Sequence, residues 1–149
     1  MPARDPDCLF CKILDGGLPA QVVDEDELTV SFMDINPATP GHALVVPRAH
    51  SADLYELPAE DMAATAIAAQ RLALRARDAL GADGVNLLNA CRPAAWQTVF
   101  HYHVHVIPRY AGDPLKLPWI PRDGEADAIA ESAAKLRGES YTPDSESTI

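Results

Sequence analysis

Five short runs of apolar and β-branched residues lie along the chain, and each has the composition of a β-strand. Turn-forming residues such as Asn36-Pro37 separate them. The pattern predicts three strands before a long helical segment and two after it, at residues 21–24, 28–33, 42–47, 85–89 and 100–108.

Helical patterns flank and separate these runs. They predict a short helix at residues 8–15, a long helix between Pro58 and Gly81, and a last helix at residues 125–137. The buried face of the long helix is predicted to contain Met62, Ile67, Leu72 and Leu80. Because the strands are clustered rather than alternating strictly with helices, the predicted fold is α+β. It has an antiparallel five-stranded sheet, one long helix and a C-terminal helix.

Length and charge narrow the possible partners. A chain of 149 residues fits one domain, which we expect at residues 1–138, followed by a mobile polar tail at residues 139–149. The formal net charge of −10 argues against nucleic acid as a partner, because phosphate backbones are bound by clustered Lys and Arg. No apolar run reaches the roughly 18 residues of a membrane span, and no secretory leader opens the chain. We therefore expect a cytoplasmic protein with no membrane partner.

The cysteines are Cys8, Cys11 and Cys91, and this odd number with one close pair makes a poor disulfide framework. The spacing of Cys8 and Cys11 fits a metal site, a redox pair, or two ordinary apolar residues of the first helix. A redox pair typically follows a strand and begins a helix, which depresses the pKa of a thiol. No strand is predicted before this pair, so metal binding is favoured over redox chemistry.

Three of the five histidines, His101, His103 and His105, occupy alternate positions of the last predicted strand. Side chains alternate between the two faces of a strand, so the three imidazoles should point the same way. The opposite face would place Tyr102, Val104 and Val106 in a packed core. Because a core would have to supply hydrogen-bond partners to each ring, packing alone does not explain this row of histidines.

Two chemistries fit the row of imidazoles. One is a metal triad, and the other is nucleophilic catalysis, in which one ring attacks and a neighbour transfers a proton. Asn89, Gln97 and Thr98 precede the row and offer uncharged donors that can hold an anionic oxygen without a metal. No carboxylate stands near the three histidines in the sequence to bind a metal or orient a ligand. The sequence therefore favours nucleophilic catalysis.

The segment His101-Tyr102-His103-Val104-His105-Val106-Ile107 resembles the signature of the histidine-triad (HIT) family, in which histidines alternate with apolar residues. Residues 10–13, 32–35, 41–50 and 97–99 resemble the family's other blocks in the same order. The resemblance covers about residues 7–120 and is closest to the Hint-like branch. Its members hydrolyse nucleoside phosphoramidates, adenylates or dinucleoside polyphosphates. In the nucleotidyltransferase branch the last histidine is Gln, so His105 indicates hydrolysis.

The resemblance implies a purine nucleotide substrate and a nucleotidyl-histidine intermediate on His103, with no cofactor required for the chemistry. His105 would act as general acid toward the leaving group. His42 would orient His103 and support its charge. The resemblance also implies a homodimer whose sheets join edge to edge.

The same resemblance implies the residues that bind the substrate. Asp34 would accept hydrogen bonds from the ribose hydroxyls, and the phosphate oxygens would contact Asn89, Gln97, Thr98 and the amide of Val99. The base pocket would be lined by Leu9, Phe10, Ile13, Phe32 and Ile35, although core packing explains these apolar residues equally well. The family commonly has Gly where this chain has Trp96. A glycine there would permit positive φ or a close backbone approach, and Trp96 could instead stack on the leaving group.

Some family members bind a structural zinc ion through a Cys-x-x-Cys pair and two histidines. The matching residues of this chain are Cys8, Cys11, His50 and His101. Two thiolates and two imidazoles form a closed tetrahedral set, which is typical of structural zinc. A bound zinc ion would fix the N-terminal helix and His101 beside the nucleophile.

Two other functions stay open at this point. The chain could be a metal-dependent hydrolase in which all three histidines are ligands, which a covalent phosphohistidine would exclude. It could also be a nucleotide-binding adaptor with little turnover. The presence of all three histidines argues against an adaptor.

Overall fold

The computed structural model describes residues 2–140. The chain divides between Leu115 and Lys116 into two compact units. The first contains the sheet, and the described part of the second contains one helix. The prediction of one domain over residues 1–138 stays a prediction. Most of the tail predicted to be mobile, residues 141–149, lies outside the described residues.

The first unit is built on five antiparallel strands in the order β1-β2-β3-β5-β4. This arrangement confirms the predicted α+β fold. The strands are β1 Val22–Glu25, β2 Thr29–Met33, β3 Ala43–Pro47, β4 Gly84–Leu88 and β5 Val104–Arg109. The helices are α1 Leu9–Leu14, α2 Ala59–Leu80 and, in the second unit, α3 Ala126–Leu136, and one 3₁₀ turn covers Pro93–Ala95.

A hydrophobic cluster covers each face of the sheet. Val45 and Val106 lie in the cluster that also contains Ala68, Ala69 and Leu72 of α2. Leu44 and Val46 lie in the other cluster, with Phe10 and Cys11 of α1. Neighbouring residues of β3 therefore belong to different clusters, as strand alternation requires. The central strands are buried on both sides, and α1 lies on the face that carries the histidines.

The predicted buried face of α2 is wrong at three of its four residues, because Met62, Ile67 and Leu80 are all exposed and only Leu72 is buried. The buried stripe consists instead of small residues, Thr65, Ala68, Ala69 and Ala76, together with Leu72 and Asp61. Small side chains let a helix approach a sheet closely, so these alanines are packing residues as well as helix formers. The predicted C-terminal cap is confirmed, since Gly81 has φ 67°.

The last strand begins four residues later than predicted, at Val104 rather than residue 100. The amide of Tyr102 donates to the carbonyl of Ser51 over 2.7 Å, so the backbone before Val104 pairs with a loop. Side-chain alternation nevertheless continues through this segment. Tyr102 and Val104 lie in the cluster against α2, whereas the rings of His101 and His103 contact Phe10. Among the described residues, no helix has both the length and the apolar character needed to cross a membrane.

Candidate active site and metal centre

A cavity of about 450 Å³ opens between α1, the ends of β2 and β3, and the loop before β5. His103 and His105 line it together with Asp34, Thr98 and Val99. All five residues predicted for the base pocket also line the cavity: Leu9, Phe10, Ile13, Phe32 and Ile35. The cavity is therefore lined both by these apolar side chains, here called the apolar compartment, and by polar side chains that include the two histidines.

The hydrogen bond of His103 defines which of its nitrogens is free. Its Nδ1 lies 2.7 Å from the carbonyl oxygen of His101, and only a protonated nitrogen can donate to a carbonyl. In the neutral ring the lone pair is therefore on Nε2. The ring is 6% exposed, and burial lowers the pKa of His103, which favours this neutral form. A neutral imidazole with a free Nε2 is a nucleophile.

A hydrogen bond joins the rings of His42 and His105, and its direction follows from the partner of His42. The amide of Ala38 donates to Nδ1 of His42 over 2.9 Å, so neutral His42 carries its proton on Nε2. That Nε2 lies 2.9 Å from Nδ1 of His105, which must accept, and the proton of neutral His105 is then on Nε2. Burial lowers the pKa of His42, and burial with the charges of His103 and His42 lowers that of His105 to about 4. The ring of His42 contacts His105, which in turn contacts His103, so the expected role of His42 in orienting His103 stays a prediction.

A carboxylate does stand next to the histidines, contrary to the sequence-based expectation. Oδ2 of Asp34 is 3.5 Å from Nε2 of His42 and 4.0 Å from Nδ1 of His105. These three side chains could surround a cation. However, Nδ1 of His42 accepts the Ala38 amide, so a metal on Nε2 would require His42 to give up that hydrogen bond or its last proton. The donor set therefore suits a hydrogen-bonded relay better than a metal centre.

The register of the β2–β3 hairpin explains why Asp34 lies next to His42, a contact that the sequence analysis did not predict. Met33 pairs with Ala43, so the next antiparallel pair is Asp34 with His42. The amide of Asp34 indeed donates to the carbonyl of His42 over 3.1 Å. A hairpin drawn from the sequence in this register would have brought the carboxylate to the histidines.

Two residues predicted to hold phosphate have other partners in the structure. The Nε2 group of Gln97 donates to the carbonyls of Ala52 and Val99, at 2.8 and 3.0 Å, and Gln97 is 5% exposed. Both of its amide hydrogens hold the loop in this way, and phosphate binding by this side chain stays a prediction. Asn89 donates from Nδ2 to the carbonyl of His103 over 2.9 Å, so it supports the histidine backbone.

The loop of residues 92–98 has an unusual backbone. Trp96 has φ 77° and Arg92 has φ 71°, values that residues with a side chain rarely adopt. Trp96 thus adopts the positive φ that a glycine at this position would permit. Its side chain is largely exposed, so the structure accommodates the tryptophan without burying it.

Four side chains from three separated segments converge behind His103, and they are Cys8, Cys11, His50 and His101. Nδ1 of His101 lies 3.5 Å from Sγ of Cys8, 3.5 Å from Sγ of Cys11 and 3.3 Å from Nδ1 of His50. Nδ1 of His50 lies 3.4 Å from Sγ of Cys11. Zinc bonds of about 2.3 Å to sulfur and about 2.05 Å to nitrogen would separate tetrahedral ligands by about 3.3 Å for N–N and about 3.6 Å for S–N. The observed spacings match such a tetrahedron.

The groups around this cluster also fit a cation. Nε2 of His101 donates to the carbonyl of Pro47 over 2.9 Å, which leaves its Nδ1 lone pair facing the sulfurs. Burial lowers the pKa of His101 to about 4, so its ring is neutral, as a metal ligand must be. Burial raises the pKa of Cys8, which therefore keeps its proton unless a cation displaces it. The residues thus fit a structural zinc ion.

Comparisons with known proteins identify the family of the chain. The family model of the HIT domain matches residues 16–112. An uncharacterized HIT-like protein of Methanocaldococcus jannaschii is 44% identical over 106 residues, which are 71% of this chain and 81% of that protein. An adenylylsulfatase of Arabidopsis thaliana is 38% identical over 129 residues, which are 83% of this chain and 66% of that protein.

Two solved structures share the fold. A protein from Streptococcus mutans superposes with a TM-score of 0.86 at 35% identity, covering 93% of this chain and 88% of its own. A zinc-bound histidine triad family protein from Mycobacterium smegmatis has a TM-score of 0.72 at 40% identity, covering 89% of this chain and 96% of its own. The family match and the identity to these relatives, together with the site geometry, show that the chain belongs to the HIT family. Members of this family are generally nucleotide hydrolases or transferases.

Proposed function

We propose that the protein hydrolyses a nucleoside 5′-phosphate derivative and releases the nucleoside monophosphate. The substrate would be a nucleoside phosphoramidate, an adenylate or a dinucleoside polyphosphate. The observation that carries the proposal is the tautomer of His103, whose Nδ1 donates to a carbonyl and whose free Nε2 belongs to a ring lining the cavity. Similarity to an adenylylsulfatase supports an adenylate among the candidate substrates.

The reaction would proceed in two displacements at phosphorus. Nε2 of His103 forms a bond to the α-phosphorus while the bond to the leaving group breaks and its electron pair departs with that group. Water then forms the second phosphorus–oxygen bond, the nitrogen–phosphorus bond breaks, and His103 recovers its lone pair. Each water attack releases one proton, which balances the proton that the leaving group takes up.

His105 is proposed to serve the leaving group. With Nδ1 accepting from His42, its Nε2–H is the group available to donate a hydrogen bond to the departing oxygen or nitrogen. The leaving group takes its proton from water, because a neutral His105 that gave up its Nε2 proton would become an imidazolate. His42 then acts by fixing the orientation of His105 through the amide of Ala38.

The substrate-binding roles follow from the lining of the cavity. We assign the ribose hydroxyls to Asp34, one of whose oxygens accepts the amide of Asn36 while the other faces the histidines. Phosphate oxygens would lie against Thr98 and the amide of Val99, beside His103. A purine base would occupy the apolar compartment, which is lined by Leu9, Phe10, Ile13, Phe32 and Ile35.

The direct test is AMP release from adenosine 5′-phosphoramidate and from an aminoacyl-adenylate by the wild type, His103→Ala and Lys135→Ala. Lys135 forms an exposed ion pair on α3 and serves as the control. We expect release by the wild type and Lys135→Ala and none by His103→Ala. Equal rates for the wild type and His103→Ala would contradict the proposal. Absence of release from any substrate, with AMP still bound, would favour a nucleotide-binding adaptor.

We further propose that the cluster of Cys8, Cys11, His50 and His101 holds a structural zinc ion. When bound, the ion would fix α1 and the backbone of His101, whose carbonyl accepts the Nδ1 proton of His103. Metal analysis should find one zinc per chain. Loss of that zinc should lower thermal stability, whereas a metal-dependent hydrolase would lose its chemistry while keeping its fold.

A homodimer is the proposed assembly. β4 is an edge strand of the sheet, and Leu87 and Leu88 on it are exposed together with Ile67 and Leu74 of α2. An exposed apolar edge strand pairs readily with a second copy.

We also infer a cytoplasmic location, because none of Cys8, Cys11 and Cys91 forms a disulfide, as suits a reducing compartment.

A further inference from the structure

The loop that carries Thr98 and Val99 is held to a second loop, residues 51–56, by side chains outside the catalytic histidines. Nε of Arg92 donates to Oδ2 of Asp53 over 3.0 Å. The guanidinium of Arg92 also lies 4.9 Å from the centre of the Tyr55 ring. Asp53 is buried, and its other oxygen accepts the amides of Tyr55 and Glu56. The carboxylate is therefore fixed in place before Arg92 contacts it.

The backbone of Arg92 is the most unusual in the loop. Its φ of 71° and ψ of 163° lie in a region that is essentially restricted to glycine. A non-glycine residue persists there only when its surroundings hold it. Arg92 is held by side-chain contacts with Asp53 and Tyr55 and by main-chain hydrogen bonds to Ala95 and Gln97.

Arg92 and Gln97 transmit this anchoring to the phosphate-binding residues. The amide of Arg92 donates to Oε1 of Gln97 over 2.6 Å, and the amide of Gln97 donates to the carbonyl of Arg92 over 3.1 Å. Gln97 in turn donates to the carbonyl of Val99 and precedes Thr98 directly. A chain of contacts therefore runs from Asp53 to the residues that line the cavity.

We propose that Arg92 and Asp53 are positioning residues that hold the strained loop of residues 92–98 so that Thr98 and Val99 face the phosphate. This inference rests on the proposed function. The guanidinium acts on Asp53 and not on substrate. Its loss should therefore lower kcat more than it raises KM, because the loop contacts the reacting phosphate rather than the base.

The structure provides a test that separates positioning from substrate contact. Arg92→Ala removes the side chain but leaves a residue with a Cβ in the glycine region, so the loop should relax and kcat should fall at least tenfold. Arg92→Gly removes the same side chain but tolerates the backbone, so kcat should stay at least threefold above that of Arg92→Ala. If Arg92 touched the substrate, the two variants would be equally impaired.

Asp53→Asn keeps the acceptor for the two amides and removes the charge that binds Arg92, so it should resemble Arg92→Ala. In the Arg92→Gly background the same substitution should cause no further loss. Asp78→Asn is the matched control, because it removes the carboxylate of another Arg–Asp pair, with Arg77, on the exposed surface of α2. It should keep the wild-type kcat, and Arg92→Lys should recover part of the activity.

Amide hydrogen exchange at residues 95–99 gives a readout that does not depend on turnover. Exchange there should accelerate at least tenfold in Arg92→Ala and Asp53→Asn, less in Arg92→Gly, and not in Asp78→Asn. Unchanged exchange, or equal kcat losses in Arg92→Ala and Arg92→Gly, would overturn the positioning role. A wild type without turnover would contradict the proposed function alone, and exchange would still decide the role of Arg92 and Asp53.

Discussion

Phe10 lines the cavity and contacts both His101 of the proposed zinc site and His103, the proposed nucleophile, so its truncation tests how these parts are coupled. Its ring lies edge-on to Phe32, His101 and His103, with centroid distances of 5.4, 6.0 and 5.1 Å. The side chain is 5% exposed. Phe→Ala at such a site costs about 3–5 kcal/mol, of which aromatic contacts contribute about 0.5–1.5 kcal/mol each. That is a large part of the roughly 5–15 kcal/mol that stabilises a domain.

Urea unfolding of the zinc-saturated protein measures this change. Phe10→Ala should lose about 3–5 kcal/mol and most of its kcat, because His103 loses a packing partner. Phe10→Leu should lose only about 1–1.5 kcal/mol, since most of the volume remains. Leu9→Ala is the neighbouring control in the same helix and cavity. Leu9 is 46% exposed, so its truncation should cost about 1 kcal/mol and raise KM. A loss below about 1 kcal/mol for Phe10→Ala would refute the packing argument.

Three further outcomes follow from the structure. Folding lowers the pKa of His105 to about 4 from 6.5 and also lowers that of His42, so the unfolded chain binds more protons between these pH values. Urea unfolding should therefore show stability that is complete above pH 6.5 and decreases toward pH 4, and a stability that rises on acidification would contradict it. Gly41 has φ 89°, and a Cβ there would collide with Leu80, so Gly41→Ala should lower the free energy of unfolding by about 1–3 kcal/mol, measured the same way. Leu87→Lys on the exposed edge strand should convert the proposed dimer to a monomer in light scattering, and an unchanged mass would place the interface elsewhere.

Much of the fold follows from local sequence patterns. The five strands and the ends of α2 were predictable because turn residues and Gly81 mark them in the sequence. The buried face of α2 was not, because the hydrophobicity of Ile67 or Leu80 suggests burial whereas the sheet accepts only small residues such as Ala68. That preference depends on how close the helix lies to β3 and β5, which no local pattern of α2 contains.

The candidate site could likewise be predicted from the sequence only in part. The row of histidines was visible because alternation places His101, His103 and His105 on one face even where the backbone is not paired as a strand. The contact of Asp34 with His42 depends on hairpin register, and the anchoring of Gln97 depends on which loop packs beside it. Such partners lie far apart in the sequence, so residue types alone suggested phosphate binding for Gln97 and did not indicate its loop anchoring.

Nucleophilic catalysis by His103 is tested most directly by identifying the residue that carries the nucleotide during turnover. The protein would be mixed with adenosine 5′-phosphoramidate, quenched within the first turnovers under conditions that preserve phosphorus–nitrogen bonds, and mapped by peptide mass spectrometry. We expect an adenylyl group on His103 that is absent from His103→Ala. Turnover without an adduct, or an adduct on His105 instead, would contradict nucleophilic catalysis by His103.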